Sequence, residues 1–371
     1  MNDRRTTGSP APRVAVVGSG PSGCYTAQFL RKAWSDAEIV VLDRLETPYG
    51  LIRYGVAPDH VGTKGIARQF DRLFTRGGVR FSGGVEVGRD VTLEELRAAY
   101  DVVVLATGLP ADRVVAGFHD ESGRRTHDGV YGSGELTRMV NGHPDRRAAD
   151  VHLGTSCVVV GHGNVALDLV RLVLTPPGDL VEFGVPQDAV VALGEGSVRR
   201  LSVVGRSGPA GAKFDAAAVR ELGRLPDVRF TSDADAGESA VGELVAASPT
   251  EAGRQVDFHF GWTPERLEGS GRVERAVFTS PLDTGRTLVL QTDSVLTAIG
   301  FTEGADHALR RDLLQGEHSD LATGRLGEGL YCVGWLRRGP VGTIPANRTD
   351  ARLVSDAIIA DVEARRRSSA A

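Results

Sequence analysis

The sequence predicts an α/β protein of two Rossmann-like dinucleotide-binding domains, each three layers about a parallel sheet, with one domain inserted into the other. Three observations predict it. Gly18, Gly20 and Gly23 punctuate GSGPSG where an apolar run gives way to a helical pattern. The arrangement returns at Gly161, Gly163 and Ala166 in GHGNVA. ATG at 106–108 and AIG at 298–300 resemble the short returns by which a first domain is left and re-entered.

The remaining bounds agree. A chain of 371 residues exceeds what one hydrophobic core usually serves. With 41% hydrophobic and 25% charged residues it is globular, and a net charge of −5 argues against a general nucleic-acid binder. Cys24, Cys157 and Cys332 form no C-x-x-C, which excludes a thiol relay of that spacing and a disulfide scaffold. No apolar run reaches the ~20 residues of a membrane span. The start, MNDRRTTGSPAP, lacks the apolar stretch of a secretion signal and reads as a disordered lead, so a cytoplasmic protein is expected.

In chain order, RVAVV is a buried strand, followed by the first glycine turn and a helix carrying Tyr25, Phe29 and Leu30. EIVVLDR is a second strand, and ETPYGLIRYGVAPDHVGTKG an irregular loop too long for a plain connector. VTLEELRAAY is a helix with a capping box, Thr92 and Glu95. DVVVLATG is a strand ending at Gly108. TSCVVVGHGNVALDLVRLVL restarts the pattern, SVRRLSVVGR supplies another strand, and residues 231–255 form a surface loop with some helix. QVDFHFGW, GRVERAVFTS and RTLVLQTDSVLTAIG read as antiparallel strands. The C-terminal helix is expected from about Asn347, with RRRSSAA frayed.

In each turn the first glycine permits the bend, the second lets backbone approach a pyrophosphate, and the third position lets helix and strand pack closely. Phosphate then meets the free N–H groups and positive end of the helix. Asp43 ends the strand after the first turn, where a carboxylate accepts hydrogen bonds from ribose hydroxyls. In the second turn Asn164 bonds either the turn or the ligand, and His162 reads as an exposed turn residue. The strand after it ends not in an acid but in Arg206. A carboxylate there would repel a 2′-phosphate, whereas guanidinium binds it with charge-assisted hydrogen bonds, so Arg206 argues for NADP over NAD. Ser207 adds a hydroxyl donor.

Four blocks, VAVVGSGPSGCYTAQFL, PYGLIRYGVAPDH, VVVGHGNVALDLVRLVLTPP and GWLRRGPVGTIPANRTDA, resemble the adrenodoxin-reductase-like family of ferredoxin–NADP⁺ reductases, from about Arg13 to Ile359. The resemblance implies FAD in a domain of residues 11–115 and 290–371 and NADP(H) in a domain of residues 116–289. It implies that hydride passes from NADPH to flavin N5 and that single electrons leave for a ferredoxin-type iron–sulfur protein. Carried over by residue, Gly18, Gly20, Pro21, Gly23, Asp43, Arg44 and Gly108 hold the FAD nucleotide, Asp43 standing where relatives more often have glutamate. Leu51, Gly55, Val56, Gly334, Trp335, Gly342, Thr343 and Ile344 line the flavin region. Gly161, Gly163, Asn164, Val165, Arg206 and Ser207 hold NADP(H), and His60 and Glu221 stand near flavin and nicotinamide.

Departures from the family pattern bear on selectivity and partner. Relatives commonly pair two arginines where this chain has Arg206 and Ser207, and most have a longer segment after the position of Glu221. Arg31, Lys32, Arg337 and Arg338 are candidates for a basic docking face or ordinary solvated surface. A monomer or weak dimer with no membrane, nucleic-acid or metal partner is expected. Two alternatives stay open at the level of sequence: a flavoprotein acting directly on a small molecule, and a dinucleotide-binding redox sensor without turnover.

Overall fold

Arg13–Val17 lies at the heart of a six-stranded sheet because its valines are apolar on both faces, as a strand covered on both sides requires. The computed structural model describes residues 11–370 apart from 147, 195, 284 and 305–307; residues 1–10, most of the lead read from sequence, lie outside the described residues. The chain divides into two units, one of Met1–Val56, Gly62–Ala111 and Phe301–Ala371, the other of Ala57–Val61 and Asp112–Gly300. Among the described residues no helix is long and apolar enough to cross a membrane.

In the first unit the strand order is Arg325–Gly327, Leu330–Cys332, Val102–Leu105, Arg13–Val17, Glu38–Leu42, Arg80–Ser82. All neighbours are parallel except the first pair. On one face helix Pro21–Ala33 buries Cys24, Tyr25, Ala27 and Leu30 in a cluster that also holds Ala351, Val354 and Ile358 of helix Ile344–Ala370. On the other, Leu93 and Leu96 of helix Leu93–Ala99 pack with Val17, Leu42 and Leu105. The predicted capping box forms: Glu95 N–H donates to Thr92 Oγ1 at 3.1 Å, and Thr92 N–H to Glu95 Oε2 at 2.8 Å. The C-terminal helix starts earlier than expected, because Pro345 fits a first helical turn, and it continues to Ala370 where fraying was expected.

The second unit has a fully parallel six-stranded sheet, in the order Val130–Gly132, Ser294–Thr297, Ser156–Val160, Arg200–Gly205, Arg254–Phe260, Val228–Ser232. Two expectations are corrected here. Arg254–Phe260 alternates between buried and half-buried residues, yet both its neighbours run parallel. The alternation arises because Gln255, Asp257 and His259 form a polar face that pairs within the sheet margin: Thr231 Oγ1 donates to Asp257 at 2.5 Å, and His259 Nδ1 lies 3.1 Å from Asp233. Ser294–Thr297 is likewise parallel to both neighbours, and it keeps residues 290–300 with the second unit, past the boundary expected at 289. Antiparallel pairing holds for Arg275–Thr279 and Thr287–Gln291, and Arg275–Thr279 also pairs antiparallel with Thr263–Glu268, a strand not expected from the sequence.

The long loop after the second strand is more ordered than its composition suggested. It contains helical turns Leu51–Tyr54 and Val61–Lys64, and Ala57 is buried in the core of the second unit.

The two glycine turns are built alike. Gly18 N–H donates to Leu42 O at 2.8 Å and Ala106 N–H to Val17 O at 2.7 Å. Gly161 N–H donates to Val204 O at 2.8 Å and Ala298 N–H to Val160 O at 2.7 Å. With φ of +105° and +136°, Gly18 and Gly161 would each drive an added Cβ against a carbonyl oxygen, that of Ala106 at 2.4 Å and of Ala298 at 2.3 Å. Gly18→Ala is therefore expected to cost about 2–5 kcal/mol, combining backbone strain with overlap. Gly20, at φ −65° with nothing within 4 Å of an added Cβ, should tolerate alanine at a cost of at most about 1 kcal/mol. Urea unfolding of the two variants checks this: a Gly20→Ala loss equal to that of Gly18→Ala contradicts the contact.

Candidate functional site

Helix Pro21–Ala33 starts at Gly20 with no side-chain cap, so its leading N–H groups have no partner of that kind. Open space at Gly20 lets an anion reach them, while Gly23 packs so closely that an added Cβ would stand 2.0 Å from Gly18 O. Asp43, at the end of the next strand, is tied to the turn: it accepts from Ser19 N–H at 2.9 Å, from Ser19 Oγ, and from Leu45 N–H at 3.0 Å. Arg44 is exposed. Beside the turn, Thr107 Oγ1 is buried with no hydrogen-bond partner, and Gly108 follows with φ +69° and open space around it. An orphaned hydroxyl, free helix amides and a carboxylate around open space fit the nucleotide end of FAD.

The other residues expected around flavin also lie in the first unit. Leu51 is exposed, and the N–H groups of Gly55 and Val56 both donate to its carbonyl at 2.8 Å. Trp335 stacks on Phe301, with centroids 5.6 Å apart, and its Nε1 donates to Gly342 O at 3.4 Å. Gly334 N–H donates to buried Asp350 at 2.6 Å, Gly342 and Thr343 are exposed, and Ile344 opens the last helix. Phe301 had no sequence signal; an aromatic after AIG is unremarkable until its partner is known.

The second turn repeats the open cradle. Nothing lies within 4 Å of an added Cβ at Gly163, and helix Asn164–Leu174 starts without a side-chain cap. Ala166, at the third position, is fully buried, and Val165 is half-buried in the first helical turn. Asn164 is engaged locally: its Nδ2 donates to Asp215 at 2.7 Å, and Asp215 N–H donates to its Oδ1 at 2.8 Å. His162 is not the exposed turn residue expected. It is buried against Phe260 and Phe214, its ring centroid 4.6 and 5.8 Å from theirs, because Gly205 opposite leaves room for the imidazole. Burial pushes its pKa down to about 4, and its Nδ1 has no partner. Lys213 N–H donates to His162 O at 2.7 Å, which sets exposed Lys213 beside Gly163. Arg206 is exposed and makes no side-chain hydrogen bond or ion pair with the described residues; Ser207 is half-buried.

Deeper along helix Asn164–Leu174 lies a cluster only partly legible beforehand. Arg171 is buried, and its guanidinium is the hub. Nε donates to Asp59 Oδ2, and Nη2 to Asp59 Oδ1 at 3.2 Å and Asp168 Oδ1 at 2.8 Å. Nη2 also stands 2.8 Å from His60 Nε2, and Nη1 donates to Glu221 Oε2 at 3.5 Å. His60 and Glu221 are thus brought together through an arginine. Burial pushes the Asp168 carboxyl up, against the pull of Arg171 and then His60. Burial also disfavours the Arg171 cation, but the bonds to Asp59 and the field of Asp168 outweigh it and raise its pKa. Asp59, Asp168 and Arg171 were missed. An arginine in LVRLVL reads as a solvated helix position, and its partner Asp59 stands 112 positions away.

The candidate basic face is mostly committed elsewhere. Arg337 and Arg338 pair with buried Asp350, Arg338 at 3.1 Å, and Arg31 donates to the carbonyls of Ser35 and Gly78 at 2.8 and 2.7 Å. Lys32 is exposed. The cysteines are all buried, and burial raises every thiol, Cys157 and Cys332 to about 12. They cannot serve as thiolate nucleophiles near neutral pH.

Comparison with known proteins identifies the family. Residues 12–174 match the family model described as pyridine nucleotide-disulphide oxidoreductase. Cindoxin reductase of Citrobacter braakii is 46% identical over 369 residues, covering 96% of this chain and 79% of that protein. The mitochondrial NADPH:adrenodoxin oxidoreductase of Arabidopsis thaliana is 33% identical, covering 94% and 82%. The structure of Mycobacterium tuberculosis FprA in complex with NADPH superposes with a TM-score of 0.85 at 29% identity, covering 97% of this chain and 86% of that one. At this identity and coverage, the chain belongs to the adrenodoxin-reductase-like family of ferredoxin–NADP⁺ reductase flavoproteins.

Proposed function

We propose that this chain is an FAD-dependent oxidoreductase that draws electrons from NADPH and delivers them singly to a ferredoxin-type iron–sulfur protein. The observation that carries the reading is the pair of duplicated turns with opposite charge at the following strand ends, Asp43 after the first and Arg206 after the second. A carboxylate suits the ribose hydroxyls of FAD, and an unpaired guanidinium suits the 2′-phosphate of NADPH. FAD, when bound, supplies the exchange between two-electron and one-electron transfer.

On this reading the first unit is the FAD domain, with Gly20, Pro21, Asp43 and Thr107 at the nucleotide and Leu51, Trp335 and Gly342 toward the flavin. The second unit is the NADP(H) domain, with Gly163, Val165, Arg206 and Ser207 at the nucleotide and His60 and Glu221 at the nicotinamide. Asn164 supports the site by tying the helix start to Asp215. The raised thiols favour an external one-electron partner over disulfide reduction by the chain's own cysteines. Three unpaired cysteines support a reducing compartment, which we take to be the cytoplasm.

Anaerobic stopped-flow mixing tests the function. NADPH should bleach the bound flavin, and an oxidised ferredoxin-type protein added next should be reduced as the flavin colour returns. A flavin that stays oxidised with NADPH, or one that is bleached but cannot reduce any such protein, contradicts the proposal.

Arg206 supplies a second test. A charge-assisted contact to phosphate is worth ~1.5–3 kcal/mol, and each ~1.4 kcal/mol is tenfold in affinity. Arg206→Ala should therefore lower kcat/KM for NADPH about tenfold to a hundredfold, leaving NADH nearly unchanged. Ser207→Arg should widen the natural preference. Equal losses for both nucleotides would show that Arg206 does not read the phosphate.

A further inference from the structure

We infer that Arg171 is a positioning residue that fixes His60 as the neutral Nδ1–H tautomer, so that His60 offers the bound nucleotide a hydrogen-bond donor and not a proton acceptor. The inference rests on the proposed reading of His60 as a nicotinamide-side residue. Guanidinium has five N–H donors and no acceptor. Nη2 carries two hydrogens, and its two shortest contacts, Asp168 Oδ1 and His60 Nε2 at 2.8 Å each, take them, the 3.2 Å contact to Asp59 Oδ1 being shared; since guanidinium cannot accept, His60 Nε2 accepts. A neutral imidazole that accepts at one ring nitrogen carries its proton on the other, which here is Nδ1. The competing arrangement, Nε2–H donating to Asp168, is not made: Asp168 Oδ1 is 3.8 Å away, beyond hydrogen-bond reach.

The guanidinium cannot easily turn away. Asp59 grips Nε and Nη2 from the segment that carries His60, Asp168 holds Nη2 from the same helix, and Glu221 reaches Nη1 from helix Ala216–Leu222. One guanidinium thus faces three carboxylates, which hold its plane against His60 Nε2. Protonation of His60 at Nε2 with Arg171 in place would set two donors against each other. The side chain of His60 is 37% exposed, which leaves part of the ring accessible to a ligand. A donor of fixed orientation suits a carbonyl acceptor on the nucleotide and leaves proton transfer to other groups.

The experiment uses the full FAD-loaded chain labelled with ¹⁵N-histidine and two-bond ¹H–¹⁵N correlation spectra, with His60→Gln identifying the His60 signals. The parent should show the Nδ1–H pattern at neutral pH. Arg171→Met should abolish it in favour of the Nε2–H form or the cation. Flavin reduction by NADPH should fall. Arg171→Lys keeps the charge without the planar fork, and serves if the methionine variant fails to fold; it should give mixed tautomers. An Nε2–H or cationic His60 in the parent, or a lysine or methionine variant with the parental pattern, overturns the inference. If NADP⁺ leaves the His60 signals unmoved while the parent shows Nδ1–H, the site reading of His60 fails and the role of Arg171 stands.

Discussion

The contact between the first glycine of each turn and an alanine carbonyl governs both halves of this protein. Gly18 lies against Ala106 and Gly161 against Ala298, so closely that any side chain would overlap the carbonyl. The surrounding hydrogen bonds repeat almost to the tenth of an ångström. Because the strand end, the turn and the return segment are locked in this way, the helix that follows can present free N–H groups to open space. The cradle thus depends on backbone proximity, and the side chains nearby are released to specialise.

That specialisation separates the two sites. After the first turn, Asp43 is bonded by Ser19 and Leu45, which holds the carboxylate at the strand end. After the second, Arg206 is exposed with no side-chain partner among the described residues, and Lys213 lies alongside Gly163. One scaffold therefore carries an acceptor group in one copy and cationic groups in the other, the distinction on which the proposed reading of FAD ribose hydroxyls and the NADP 2′-phosphate rests. Farther along the second helix the chemistry changes from recognition to positioning, where Arg171 gathers Asp59, His60, Asp168 and Glu221.

Much of this was legible because it is local. Glycine spacing, the apolar strands, the capping box at Thr92 and the charge of Arg206 are each written within a few consecutive residues. What was misread depends on neighbours distant in sequence. Arg254–Phe260 alternates as an antiparallel strand would, but its polar face is paired by Thr231 and Asp233. Arg337 and Arg338 looked like surface charge until Asp350 was found buried between them. His162 looked solvated, yet the absence of a side chain at Gly205 lets it turn inward. Arg171 was hidden for the same reason, since Asp59, His60 and Glu221 come from a loop and a helix well removed in the chain and only Asp168 is a near neighbour.

The central claim is that two turns of one design hold two different dinucleotides at once. Titration of the purified, FAD-containing protein with NADP⁺, read by calorimetry together with assay of released flavin, tests it most directly. The account predicts one FAD retained per chain and one NADP⁺ bound per chain, with no flavin displaced. Displacement of FAD by NADP⁺, or a folded, flavin-loaded protein that takes up no NADP⁺, would contradict it.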